Sequence, residues 1–108
     1  MPEAIQVQLK KGVLELCVLA LLSRGDGYAY DIAGRLAKGI DMGEGTIYPL
    51  MRRLQADRLV DTYLQESGQG PPRKYYRLTE AGSAAFVAQK AEWTVFVRAV
   101  DDILGDAA

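Results

Sequence analysis

The sequence predicts an α+β fold that is mostly α: three short helices, a two-stranded hairpin and one long final helix. Three observations predict it. Apolar residues recur at helical spacing up to about Ala56. The pattern then shortens toward a period of two on either side of a Gly/Pro-rich loop, between Leu59 and Leu78. Helical spacing returns at Thr79 and holds to Leu104. With 108 residues, 49% hydrophobic and 25% charged, the chain has the size and composition of one globular unit. Residues 1–78 form its helix-and-hairpin part and residues 79–108 its last helix.

The first helix is expected over Leu9–Ser23 ("LKKGVLELCVLALLS"), whose apolar residues lie on most sides and suit the centre of a core. Arg24-Gly25-Asp26-Gly27 reads as a turn. Tyr28–Ala37 ("YAYDIAGRLA") carries Ile32, Ala33, Leu36 and Ala37 at helical spacing, with Lys38-Gly39 closing the helix. Ile40–Gly43 connects to "GEGTIYPLMRRL", where Ile47, Leu50, Met51 and Leu54 fall at i, i+3, i+4 and i+7. Pro49 lies inside that face and removes a donor to the Gly45 carbonyl. The residue before a proline also resists the α conformation. Either a bent first turn begins at Glu44 or regular helix begins nearer Tyr48, and the first is favoured. Leu59–Gln65 and Arg73–Leu78 are the strands, joined by Glu66–Pro72. Thr79 suits an N-cap, with Glu80 favourable in the first turn and Gly82 where a capping box has Glu or Gln. Thr79–Leu104 then spans roughly 39 Å at ~1.5 Å per residue. Three helices and a hairpin in this order make a winged helix-turn-helix, with the hairpin as the wing.

Composition narrows the function. The chain has no histidine and a single cysteine, Cys17, which removes the commonest general base and zinc ligand and any intramolecular disulfide. Cys17 reads as a small buried hydrophobe. With no phosphate loop and no nucleophile beside a base, no enzyme and no cofactor are expected. No apolar run has the length of a membrane span or the cleavage site of a signal peptide, so the cytoplasm is the expected location. The net charge of −1 is bland, but its distribution is not. Residues 1–78 hold 11 basic and 9 acidic side chains, and the remainder hold 2 and 5. Arg73, Lys74 and Arg77 cluster with no acid between Gly68 and Leu78.

In a helix-turn-helix, the N-terminal residues of the second helix face base edges in the major groove. Opposite the apolar face of that helix lie Thr46, Tyr48, Pro49, Arg52 and Arg53. Thr46 can donate and accept, and Tyr48 can stack or hydrogen-bond. Gly43 and Gly45 allow close backbone approach to phosphate. Arg52 and Arg53 suit phosphates. On the hairpin, Arg73 and Lys74 are phosphate candidates, or serve to keep an edge strand soluble. Lys10 and Lys11 are weaker candidates. Phe86, Val87, Trp93, Phe96, Val97, Val100, Ile103 and Leu104 line the last helix, and a second copy would cover that stripe. Asp101 and Asp102 are solvated acids at its end or polar neighbours of a ligand.

The segments "LKKGVLELCVLALL", "GYAYDIA", "GTIYPLMRRLQADRLV" and "PPRKYYRLTEAG" resemble the PadR family of bacterial transcription regulators. The resemblance covers about Leu9 to Gly82 and is most specific from Gly45 onward. The single last helix resembles the short subfamily. The resemblance implies a homodimeric winged-helix repressor, bound to double-stranded operator DNA, whose last helix dimerises. It places Tyr28 at a position near the DNA backbone, where packing is an equal alternative. Some short members bind flat aromatic compounds in a pore between subunits, which implies a planar aromatic effector with Trp93 facing its symmetry mate and Phe96, Val97 and Val100 beside it; the alternative is that Trp93 is an aromatic of the dimer core. The alternative is a winged-helix module that binds a protein partner without DNA.

Overall fold

A computed structural model describes residues 5–42 and 44–105; Gly43 and the Lys10 and Lys11 side chains lie outside what it describes. The element order is α1 (Ile5–Ser23), β1 (Gly27–Tyr28), α2 (Ala29–Ile40), α3 (Glu44–Ala56), β2 (Val60–Gln65), β3 (Arg73–Leu78) and α4 (Glu80–Leu104). The fold is the expected mostly helical α+β arrangement, a winged helix-turn-helix with a long last helix. No helix among the described residues is long and apolar enough to cross a membrane.

The core forms where the apolar periodicity places it. Ile47, Met51 and Leu54 of α3 are fully buried and Leu50 nearly so. They meet Leu14, Val18 and Leu22 of α1, Ile32 and Leu36 of α2, and Val60 and Tyr76 of the sheet. Each fully buried aliphatic side chain contributes about 1.5–3 kcal/mol of transfer free energy. This packing outweighs the missing Pro49 hydrogen bond, and α3 runs unbroken through Pro49 from Glu44. Regular helix therefore includes the opening turn.

Three details differ from expectation. Helix α1 begins at Ile5 rather than Leu9. Helix α2 continues through Lys38 and Gly39 to Ile40, and Ala37 is exposed. Its stop is Asp41, which takes the left-handed cap conformation (φ 57°, ψ 49°) and donates its amide to the Ala37 carbonyl. Short polar residues tolerate that conformation better than most, so a glycine was not required. Finally, Gly27-Tyr28 is a strand. It pairs antiparallel with Tyr76 and Tyr75, making a three-stranded sheet in the order β1-β3-β2. Two residues are too few for an alternation to register.

The end of α3 and the start of α4 are tied together. Arg58 is left-handed (φ 61°). Its amide donates to the Gln55 carbonyl and that of Leu59 to the Leu54 carbonyl, closing α3 as a Schellman turn. The Thr79 hydroxyl donates to the Arg58 carbonyl at 2.8 Å and accepts from the Gly82 amide at 2.9 Å. Thr79 is thus both the N-cap of α4 and a clamp on the preceding turn. From there α4 crosses α1, where Gln89 Nε2 donates to Glu15 Oε2 at 2.7 Å.

Candidate nucleic-acid interface

The exposed side of α3 begins at its first turn. Gly45, Thr46 and Pro49 are exposed, Tyr48 is half-buried, and Arg52 and Arg53 are exposed. The burial of Ile47, Leu50, Met51 and Leu54 leaves this side outward, and Pro49 fixes φ without costing a core contact. Nothing lies within 4 Å of where a Cβ on Gly45 would sit, so the backbone there is open to a close neighbour.

The two arginines have different surroundings. Among the described residues no acid pairs with Arg52. Arg53 places Nη2 3.0 Å from Glu15 Oε1, and the same carboxylate accepts from Gln89. Arg53, a phosphate candidate in the sequence, therefore also links α3 through Glu15 to α1 and α4. The reason is its position on the helix. Thr46, Pro49 and Arg53 share a flank that faces α1, and with Leu14, Glu15 and Leu50 they line an open recess.

The wing carries a row of stacked rings that the sequence did not reveal. Across the sheet, Tyr28 lies opposite Tyr75 and Tyr63 opposite Tyr75 on its other side. Tyr28 and Tyr75 meet edge to face at 5.4 Å, and Tyr63 stacks on Tyr75 at 5.7 Å. The Arg73 guanidinium sits over Tyr28 at 4.6 Å, and that of Arg77 over Tyr63 at 5.1 Å. Each such contact is worth about 0.5–1 kcal/mol at an exposed site. Lys74 lies over Tyr76 at 5.5 Å on the other face, with its side chain exposed. The Tyr63 hydroxyl donates to Asp26 Oδ2 at 2.7 Å. That hydrogen bond, more than any other influence, raises the Tyr63 phenol pKa. The row joins all three strands and points Arg73 back over the start of α2. Tyr28 thus has a packing role whatever else it touches. Without an expectation for β1, nothing in the sequence linked Tyr28, Tyr63 and Asp26.

On α4, Trp93 and Phe96 are exposed and line an open recess with Leu16, Gln89 and Glu92. Val97 and Val100, half-buried, follow further along the helix, and Asp101 and Asp102 are exposed. Val95, Ile103 and Leu104 are at least 70% exposed. Cys17 is half-buried, and burial raises its thiol pKa, which disfavours a reactive thiolate.

A family model, described as the transcriptional regulator PadR-like family, matches residues 18–88, from the middle of α1 into α4. The chain belongs to the PadR-like family of transcriptional regulators. A PadR-like transcriptional regulator from Bacillus cereus is 36% identical, with 93% of this chain and 99% of that chain covered and a TM-score of 0.84. A PadR family regulator from Eggerthella lenta is 35% identical, with coverage of 94% and 89% and a TM-score of 0.82. Bacillus subtilis PadR in complex with operator DNA is similar at a TM-score of 0.64 and 23% identity, over 71% of this chain and 46% of that chain. At that identity the likeness carries the fold alone. The PadR-like family is one of transcription regulators rather than of enzymes, and this chain's winged helix-turn-helix is the part its family model spans most fully.

Proposed function

We propose that this chain is a homodimeric repressor in the cytoplasm that binds operator DNA through α3 and the wing. The observation that carries the reading is the exposed opening of α3, where Gly45, Thr46 and Pro49 stand outward with the half-buried Tyr48, beside Arg52, with which no acid pairs among the described residues. Thr46 and Tyr48 read bases. Arg52, Arg73 and Lys74 hold phosphates, and Tyr28 supports Arg73 from below. Arg53 meets phosphate only at the edge of its ion pair with Glu15 and chiefly fixes the angle of α3. Membership of a family of transcription regulators supports DNA as the partner. The exposed apolar side of α4 supports the dimer, whose two α3 helices would read half-sites about 34–36 Å apart.

The test is titration of the protein against operator and random duplexes at several salt concentrations. Thr46→Ala and Tyr48→Ala are expected to reduce the preference for operator by about 1–3 kcal/mol each, while random-duplex affinity changes little. An equal loss on both duplexes would show that α3 does not read sequence. Gly45→Ala gives a second, opposed pair of results. The vacant space around Gly45 and the higher helix propensity of alanine are expected to stabilise the fold by about 0.5–1 kcal/mol. The added methyl group is expected to weaken operator binding, because it stands where the backbone approaches phosphate. Thermal melting and the same titration read the two effects separately.

A planar aromatic effector would stack against Trp93 in the recess with Phe96, with Val97 and Val100 behind. Trp93 is the only tryptophan, so its fluorescence is expected to be quenched by planar aromatics. An unchanged spectrum across a panel of cationic and neutral rings would leave Trp93 with packing alone.

A further inference from the structure

Glu15 of α1 serves three helices with one carboxylate. Its Oε1 meets Arg53 Nη2 of α3 at 3.0 Å, and its Oε2 accepts from Gln89 Nε2 of α4 at 2.7 Å. Helical geometry explains how one side chain reaches both. Successive residues turn by about 100°, so Leu14 and Leu16 point to nearly opposite sides of α1 and Glu15 lies between them. Leu14 lines the recess toward α3, and Leu16 lines the recess toward Trp93 of α4. We propose that Glu15 is a positioning residue for DNA recognition, which fixes α3 against α1 and α4 for sequence reading and withholds Arg53 from phosphate. The proposal rests on the DNA-binding reading above and assigns part of the sequence discrimination to an acid that cannot itself hold phosphate.

The position of Arg53 supports it. Arg53 shares a flank of α3 with Thr46 and Pro49, at spacings of three and four. Anchoring that flank at Arg53 sets the rotation of α3 about its own axis, and with it the direction in which Thr46 points. The apolar side does this less well. Burial of Ile47, Met51 and Leu54 is strong but non-directional, whereas a charged donor and acceptor in hydrogen-bond geometry are directional. The second oxygen matters equally. Through Gln89 the carboxylate is itself tied to α4, so Glu15 cannot swing outward with Arg53 without breaking a second contact.

Burial and charge set what Arg53 does. The Glu15 side chain is 25% exposed and that of Arg53 57%. A carboxylate so placed needs its partners. The guanidinium directs one nitrogen at Glu15 and keeps further N–H donors for solvent. Glu15 also opposes any phosphate that approaches Arg53. Removing its charge therefore has two separable effects. Arg53 becomes available to the backbone of any duplex, and α3 loses the contact that fixes its rotation. Affinity for random DNA rises while preference for one sequence falls. A residue that only stabilised the fold would lower both affinities together.

A double-mutant cycle tests the assignment. The probes are a duplex selected from a random pool on immobilised wild type and an unselected random duplex. Each is titrated at several salt concentrations, with thermal melting confirming the fold. Glu15→Gln is expected to raise affinity for the random duplex about threefold near physiological salt and to steepen its salt dependence by up to roughly 2 for a dimer. The same variant is expected to lower the preference for the selected duplex by about three- to tenfold, since each dimer loses two partly exposed ion pairs. Arg53→Gln is expected to lower the preference alike at the wild-type slope, and adding Glu15→Gln to it is expected to change neither further. Gln89→Leu is expected to lower the preference about twofold, again at the wild-type slope. If Glu15→Gln melts early, Arg53→Gln still tests the anchoring of α3, since its side chain is more than half exposed. An unchanged preference or a parallel fall in both affinities in Glu15→Gln overturns the proposal and leaves the DNA-binding reading in place. So does the same slope increase in the Arg53→Gln background, or a wild-type preference in Gln89→Leu. A wild type that retains no duplex from the pool overturns both.

Discussion

Gly82→Ala is expected to destabilise the protein by about 3 kcal/mol. A Cβ at this position would run into the Leu59 carbonyl oxygen and meet its carbon and Leu78 Cδ2 at 3.0 Å each. The first two atoms are backbone. They are also held in place, because the Leu59 carbonyl accepts from the Thr79 amide and its own amide closes the α3 turn. A flexible side chain could move aside; this segment cannot move without opening the Schellman turn or releasing the Thr79 clamp. The melting temperature is expected to fall by roughly 10 °C or more for a chain of this size. Gly34→Ala is the control, an exposed helical glycine with nothing within 4 Å of its Cβ position. It is expected to be neutral or to stabilise by about 0.5–1 kcal/mol. Equal melting curves for the two variants would show that the α4 start is free to shift. A displaced α4 would also carry its apolar face out of line, so any self-association should weaken together with stability.

The same glycine shows what a sequence can and cannot display. The capping threonine was visible at Thr79, as were the extents of the α3 opening, β3 and α4. Each rests on local periodicity or on a side chain meeting its own backbone. Gly82 looked like an incomplete capping box, since its real neighbour is Leu59, more than twenty residues back in the chain. The tyrosine row was hidden for the same reason. Tyr63 and Tyr75 pair across the hairpin, but Tyr28 joins them only when a two-residue strand pairs with β3, and two residues carry no period. Arg53 stood out as basic and exposed, which it is. Its ion pair with Glu15 depends on the crossing of α1 and α3, which no local pattern encodes. The exposed apolar side of α4 was legible because a 25-residue helix outruns the body it starts on. Val95 was missed because it lies off the main stripe.

Arg73→Ala combined with Lys74→Ala is expected to weaken binding to every duplex, operator and random alike, by about 100-fold near physiological salt. A dimer would lose four cations, two from each wing, and phosphate contacts carry no sequence information. The dependence of log affinity on log salt is expected to flatten by roughly 3–4 for B-DNA, at about 0.9 for each lost contact. Charge has to be separated from shape here, because Arg73 also lies over Tyr28 and Lys74 over Tyr76. Arg73→Lys with Lys74→Arg keeps both charges and alters both ring contacts. If phosphate neutralisation is the role, this exchange is expected to keep the salt dependence of the wild type. Tyr28→Phe keeps the ring beneath Arg73 and removes only a hydroxyl, so it is expected to behave as wild type unless that hydroxyl itself reaches the DNA backbone. A double alanine variant with unchanged affinity and slope would remove the wing from the interface and leave DNA contact to α3 alone. A drop in affinity with an unchanged slope would instead assign Arg73 and Lys74 to holding the tyrosine row in shape. The slope therefore decides whether these two side chains act on the nucleic acid or on the sheet that presents them.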